Sequence, residues 1–309
     1  MTATIYKSTG SFYLAYDDAG IKWNCRIRGR LKIDEEISST NPIAVGDKVT
    51  LLTESAEDRT AVITGIGDRH NYMVRTSPHN KHQKHIVAAN IDLALLVATI
   101  KEPRTSNGFI DRFLITSEAY HIPALILFNK ADLLQGRHQE EWLQRKAVYE
   151  AAGYETITAT AINGEGLEAL KDKLKDKTTL FSGHSGVGKS TLINYLIPEK
   201  NLKVQEVSGW SGKGQHTTTF AEMFDLPGGG RIIDTPGVKE FGIVDMEREE
   251  LSHYFPEMRT LIGDCRFNNC IHINEPGCAV KAAVAAGTVS LERYESYIAI
   301  LSSLDEGFA

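Results

Sequence analysis

The sequence predicts three units in series: an N-terminal OB-fold β-barrel, a central α/β domain of the P-loop type with circularly permuted topology, and a C-terminal, mostly helical zinc-binding domain. Three observations predict it. Residues 1–72 alternate apolar and polar positions between turn signals. Residues 91–242 alternate apolar strands with amphipathic helices around Gly183-His-Ser-Gly-Val-Gly-Lys-Ser190. Cys265, Cys270, His272 and Cys278 then crowd into fourteen residues of the last segment, 243–309. A chain of 309 residues is long enough for such a division, since a domain takes roughly 100–200 residues.

In the first unit, strands are expected at Thr2–Lys7, Ser11–Tyr16, Ile21–Gly29, Lys48–Thr53 and Thr60–Ile66, separated by turns at Ser8-Thr9-Gly10, Asp17–Gly20 and Gly46-Asp47. Five strands in so short a stretch suit an OB fold, and an SH3-like barrel fits the same count. Cys25 sits in an alternating strand and reads as core. From Arg69 to Asn90 the chain carries Arg69, Arg75, Lys81, Lys84 and four histidines but no acid. Residues 73–90 therefore read as a basic linker, either simply solvated or in contact with phosphate.

In the central unit, strands are expected at Ile91–Ile100, Pro123–Phe128, Thr156–Thr160, Thr178–Ser182, Phe220–Asp225 and Gly229–Asp234. Helices are expected at Phe109–Tyr120, Glu140–Ala152 and from Lys189 onward. A βαβ rhythm throughout implies a parallel sheet covered on both faces. The last unit offers helices at Glu247–Tyr254, Ala279–Ala286 and Ser290–Ser303.

The chemistry is carried by motifs at strand ends. Gly183, His184, Ser185, Gly186, Val187, Gly188, Lys189 and Ser190 fill the whole P-loop pattern between a strand and a helix. Its glycines let backbone N–H groups face phosphate oxygens at a helix N-terminus. Lys189 would reach the β- and γ-phosphates, Ser190 would ligate Mg²⁺, and Thr191 follows within the nucleotide-binding set. Asn129-Lys130-Ala131-Asp132 follows a buried strand, at the carboxyl end of the sheet where ligands bind. The Asp132 carboxylate can accept two hydrogen bonds from guanine, whereas adenine would leave it unpaired. Asn129 would brace the loop and the Lys130 stem would cover the base. Thr160-Ala161 follows the next strand and would meet the guanine carbonyl through backbone N–H groups, a weak signal alone.

Asp234-Thr-Pro-Gly237 ends the strand facing the P-loop, so Asp234 would hold Mg²⁺ through water and the Gly237 N–H would sense the γ-phosphate. The Gly- and hydroxyl-rich run Ser208–Thr219 reads as a switch, with Thr218 favoured among three threonines as a Mg²⁺ ligand. Many GTPases place a water-orienting Gln just after the Gly of Asp-x-x-Gly. Val238 occupies that position here, which leaves His216 as the candidate. In ordinary GTPases the P-loop precedes Asn-Lys-x-Asp; here it follows, so the order is permuted. The C-x4-C-x-H-x5-C spacing gives three thiolates and one imidazole, a closed tetrahedral set for one structural Zn²⁺ per chain.

Taken together, the permuted motifs, Gly214-Gln-His-Thr-Thr-Thr219 and the Cys265, Cys270, His272, Cys278 set resemble the small-ribosomal-subunit-dependent GTPase A family, RsgA/YjeQ, over nearly the whole chain. The resemblance implies an OB fold that meets ribosomal RNA, a centre that hydrolyses GTP to GDP and phosphate, and a zinc domain that also docks on the ribosome. It further implies a role in late maturation of the small subunit, with hydrolysis stimulated by that subunit. One departure is Gln215, at a position often basic in the family.

Bulk properties narrow the alternatives. The net charge of −6 excludes a wholly basic nucleic-acid coat. No run approaches the roughly 18 apolar residues of a membrane helix, and the start lacks a basic-then-apolar leader. A cytoplasmic monomer without membrane contact is expected. Two rivals remain: a binding module that GTP merely orders, and a GTPase serving a protein or membrane partner. Intact Lys189, Ser190 and Asp234 favour catalysis, and the barrel with its basic linker favours RNA.

Overall fold

The computed structural model describes residues 1–27, 42–76, 84–200, 202, 220–235 and 246–305. Five strands open it: β1 (Thr2–Ser8), β2 (Tyr13–Asp17), β3 (Lys22–Ile27), β4 (Lys48–Ser55) and β5 (Thr60–Ile66). They run in the order β1-β2-β3-β5-β4, and β1–β4 pairing closes the barrel. A parallel β3–β5 pair in an otherwise antiparallel closed set is the OB arrangement and decides against the SH3-like alternative. The alternating residues Ile5, Ala15, Trp23, Cys25, Val49, Leu51 and Ile63 fill its interior, so Cys25 is core.

The stretch expected as a linker is partly a hairpin, β6 (Tyr72–Thr76) with β7 (Lys84–Ala89). Its signal was hidden because Met73 and Ala88 pack into the central core rather than onto a solvated sheet face. Arg69 is engaged within the fold: its guanidinium forks onto the buried Asp47 carboxylate, at 2.6 Å through both Nε and Nη2, and donates to Pro42 O at 2.8 Å. The Lys81 position lies outside the described residues, as do the side chains of Arg75 and Lys84.

The central sheet runs β10 (Glu155–Thr158), β9 (Ala124–Phe128), β8 (Leu93–Ala98), β11 (Thr178–Ser182), β13 (Arg231–Asp234), β12 (Glu222–Asp225). The first five strands are parallel, but β12 pairs antiparallel with β13, so the βαβ expectation fails at this edge. The five residues between them, 226–230, are too few for a crossover, which needs a dozen residues or more. Every residue of β8 is buried because both faces are covered. Ala94, Leu96 and Ala98 face α1 (Asn107–Ala119) and α2 (Arg137–Ala151). Leu93, Leu95 and Val97 face α3 (Leu167–Leu174) and α4 (Lys189–Leu196). Helix α3 had no sequence prediction; eight residues after a Gly166 turn give a short periodic signal.

Barrel and sheet are continuous. Strand β1 pairs with β12 at Lys7 and Glu222, whose side chains form an ion pair at 2.7 Å, and the Tyr6 hydroxyl donates to Asp225 at 2.6 Å.

The C-terminal segment holds α5 (Pro256–Arg259), α6 (Ala279–Ala285) and α7 (Leu291–Asp305). The helix expected at Glu247–Tyr254 is only a 3₁₀ turn over Leu251–Tyr254, ended where Pro256 starts α5. Its core is Leu251, Phe255, Met258, Val280, Tyr297 and Ile300, to which α1 contributes Ile115. The junction also holds a buried charge. Arg293 of α7 is 1% exposed and binds Asp111 of α1 at 2.6 Å and Glu257 at 2.6 and 3.1 Å, beneath the Phe255 ring. Among the described residues no helix is long and apolar enough to cross a membrane.

Candidate nucleotide site and metal centre

The predicted phosphate loop leaves the carboxyl end of β11 and enters α4 at Lys189. Gly183, Gly186 and Gly188 all have positive φ, and a Cβ at Gly188 would stand 2.4 Å from Asn129 Nδ2. Glycine is required there by that close approach as well as by φ. Asn129, from the end of β9, donates through Nδ2 to Val187 O at 2.8 Å in a buried bond that spans β8. The Asn-Lys-x-Asp loop and the P-loop, distant in sequence, thus lock together. Lys189 folds its ammonium onto the carbonyls of Gly183 and His184. Val187 is buried, while Ser185 and Gly186 are exposed and Ser190 and Thr191 half-buried at the start of α4.

Asp132 follows on a short 3₁₀ turn, Ala131–Leu133, entered from Lys130 in the left-handed region. The Thr160 hydroxyl donates to Asp132 Oδ1 at 2.6 Å, fixing the carboxylate plane and leaving further lone pairs for a base. The Thr160 N–H already donates to Glu165 O at 3.0 Å, so this residue serves the loop through its hydroxyl, and Ala161 is next to it. The Lys130 ammonium donates to Glu102 O, which lays its stem along the loop.

Asp234 ends β13, the strand beside β11. Among the described residues its Oδ1 is buried without a hydrogen-bond partner. Burial pushes this carboxyl's pKa up and the Lys189 ammonium opposes it; burial pushes Lys189 down and Asp234 opposes that. An orphaned carboxylate oxygen beside a lysine and a half-buried serine fits a hard divalent cation with its phosphate ligand, as Mg²⁺ requires. His216, Thr218 and Gly237 lie outside the described residues.

Sequence reasoning missed Thr105 and Arg145. Thr105 is fully buried, and its hydroxyl meets His184 Nε2 at 2.9 Å, while Arg145 donates to the Thr105 carbonyl at 2.6 Å. Thr105-Ser106 before a helix reads only as capping, and Ser106 does accept the Phe109 N–H. Nothing local signals a contact with the P-loop.

The four predicted ligand residues come together in the structure. Cys265, Cys270, His272 and Cys278 place their ligand atoms within 4.8 Å of one another, and the four cysteines of the chain are free thiols. His272 turns Nδ1 toward Cys265 Sγ at 3.6 Å and Cys278 Sγ at 3.4 Å. The surrounding frame is small: Tyr294 and Tyr297 of α7 donate to the His272 and Ile271 carbonyls at 2.6 and 2.7 Å. The Glu275 carboxylate gathers the N–H groups of Ile271, Ile273 and Asn274 at about 3 Å. Three thiols and an imidazole in this compass fit a soft, tetrahedral metal ion.

Comparison with known proteins decides the family. The RsgA GTPase profile matches residues 66–244 and the RsgA N-terminal domain profile matches residues 2–63. This chain belongs to the RsgA GTPase family. It is 49% identical to the small ribosomal subunit biogenesis GTPase RsgA of Flavobacterium psychrophilum, over 100% of this chain and 94% of that protein. To the RsgA of Bacteroides fragilis it is 47% identical, over 99% of this chain and 98% of that one. Among solved structures, YjeQ from Thermotoga maritima superposes with a TM-score of 0.78 at 31% identity, covering 98% of both chains. YloQ, described as a circularly permuted GTPase, superposes at 0.73 with 29% identity, covering 99% of this chain and 95% of its own. The chain is therefore a GTP hydrolase, and its permuted motif order belongs to the family fold.

Proposed function

We propose that this RsgA GTPase acts on the small ribosomal subunit in its late maturation, and that contact with that subunit and its rRNA stimulates hydrolysis of GTP to GDP and phosphate. The observation that carries the reading is the locking of the base-reading loop to the phosphate loop through Asn129 and Val187, at one end of a sheet fused to an OB barrel. Full-length relatives carry the name small ribosomal subunit biogenesis GTPase, which supplies the partner.

Asp132, oriented by Thr160, reads the guanine edge, with Asn129 bracing the loop, Lys130 over the base and the Ala161 N–H toward the guanine carbonyl. The backbone of Gly183–Gly188 and the Lys189 ammonium hold the phosphates. Ser190, Thr218 and, through water, Asp234 hold Mg²⁺, which when bound neutralises charge on the β- and γ-phosphates. The Gly237 N–H faces the γ-phosphate. His216 orients the attacking water, because Val238 cannot. Cys265, Cys270, His272 and Cys278 hold one Zn²⁺ with no open position, so the ion is structural. The chain works as a cytoplasmic monomer.

GTP hydrolysis measured with small subunits, with large subunits and with neither tests this reading. Strong stimulation by small subunits alone is expected, and His216→Ala removes most of it while GTP affinity persists. Equal rates in all three conditions contradict the proposal, and full stimulation of the His216→Ala protein excludes that residue.

A further inference from the structure

The segment between β8 and α1 belongs to none of the nucleotide-binding motifs, yet its Thr105 is fixed by contacts from three directions. Its hydroxyl oxygen accepts the Thr99 N–H at 2.9 Å and stands 2.9 Å from His184 Nε2. Its carbonyl accepts from Arg145, a buried guanidinium that also pairs with Glu141 at 2.9 Å. Thr105 is therefore held from its own turn, from α2 and from the phosphate loop.

The surroundings of His184 fix where its proton sits. Nδ1 lies 3.3 Å from the Ser185 carbonyl, which can only accept, so Nδ1 carries the hydrogen. In the neutral ring Nε2 is then an acceptor, and the Thr105 hydroxyl donates a hydrogen bond to it. Burial of the imidazole, aided by the nearby Lys189 charge, lowers its pKa and favours that neutral form against the Ser185 bond. The Phe109 ring closes the remaining side edge-on, with centroids 5.4 Å apart. The ring has little freedom left.

His184 is the second residue of the loop, and its carbonyl, with that of Gly183, accepts from Lys189. Turning this residue turns the peptide units that aim loop N–H groups at a phosphate. We infer that Thr105 is a positioning residue for the phosphate loop: its hydroxyl bond to His184 orients the first turn of the loop and so sets affinity for the nucleotide phosphates. This rests on residues 183–190 being the phosphate site. The effect is one of binding, so in basal hydrolysis it falls on KM rather than kcat.

The test is the affinity of the full chain for fluorescent GDP, combined with a double-mutant cycle. Thr105→Val keeps the shape and removes the hydroxyl; about tenfold weaker binding is expected, the loss typical of one buried hydrogen bond. Thr105→Ser, which keeps the hydroxyl, stays within about twofold of the unaltered chain on the same scale. His184→Phe keeps the contact with Phe109 and removes the acceptor, and on that background Thr105→Val costs less than about twofold in GDP affinity, because the bond to the phosphate loop is already gone and only the Thr99 N–H loses a partner. A tenfold loss that persists on the His184→Phe background assigns Thr105 to the Thr99 turn alone and overturns the inference; unchanged binding by Thr105→Val does the same. Should Thr105→Val fail to fold, His184→Phe against His184→Gln decides: equal affinities overturn the inference, and rescue by Gln supports it. Failure of the underlying site reading looks different, since Lys189→Ala would then bind GDP as tightly as the unaltered chain.

Discussion

The nucleotide site and the metal centre are built in opposite ways. The first draws on loops that follow β9, β10, β11 and β13, and its parts are joined by bonds between residues far apart in sequence, such as Asn129 with Val187 and Thr105 with His184. The second takes its four ligands from one short stretch, where backbone and side-chain bonds from Glu275, Tyr294 and Tyr297 do the local bracing. The sheet thus joins the parts of the nucleotide site through long-range bonds, whereas the Cys/His loop would be held by the proposed ion. One site belongs to the scaffold; the other is a clip.

Removing metal should separate the two most sharply. Structural zinc contributes on the order of 10 kcal/mol to small metal-bound domains. Chelation, or Cys270→Ser, should open the region around residues 265–278 to protease while GDP affinity changes by less than about twofold, within the additivity of independent sites. Metal analysis should give one zinc per chain. Protease resistance unchanged by chelation would break the contrast.

The next largest effect should come from the junction. Arg293→Met strands the Asp111 and Glu257 carboxylates in a buried site, a change that costs about 3–5 kcal/mol. Urea unfolding followed by tryptophan fluorescence and by protease cleavage of α7 reads it. The loss should be larger than for Arg259→Met, whose ion pair with Glu118 is half exposed.

A smaller effect is expected inside the scaffolded site. Asn129→Ala removes the bond to Val187 and leaves a carbonyl without that partner, which costs about 1–3 kcal/mol. It should weaken GDP binding by roughly one order of magnitude without touching zinc content. Loss of zinc in this variant would show that the two regions are not separate.

What the sequence revealed follows the same division. The Cys/His cluster was legible because it is local: spacing alone puts Cys265, Cys270, His272 and Cys278 in reach of each other. The P-loop and Asn-Lys-x-Asp were legible because their glycines and carboxylate have few other uses, although their meeting point is long-range. Hidden were features decided by distant packing. The β6–β7 hairpin turns Met73 and Ala88 into a core that residues beyond 90 complete, Arg69 is spent on Asp47, and Thr105 looks like an ordinary residue before a helix. The antiparallel β12 was misread because a strand's apolar run is the same in either direction.

In permuted order, Asp132 is proposed to read guanine for a hydrolysis that the small subunit stimulates. Turnover of GTP and of xanthosine triphosphate by Asp132→Asn, both with small subunits present, tests it most directly, because xanthine replaces the exocyclic amine with an oxygen that an amide can donate to. The unaltered chain should hydrolyse GTP and leave xanthosine triphosphate almost untouched, and Asp132→Asn should reverse that preference while remaining stimulated. An Asp132→Asn protein that keeps full preference for GTP would contradict the account.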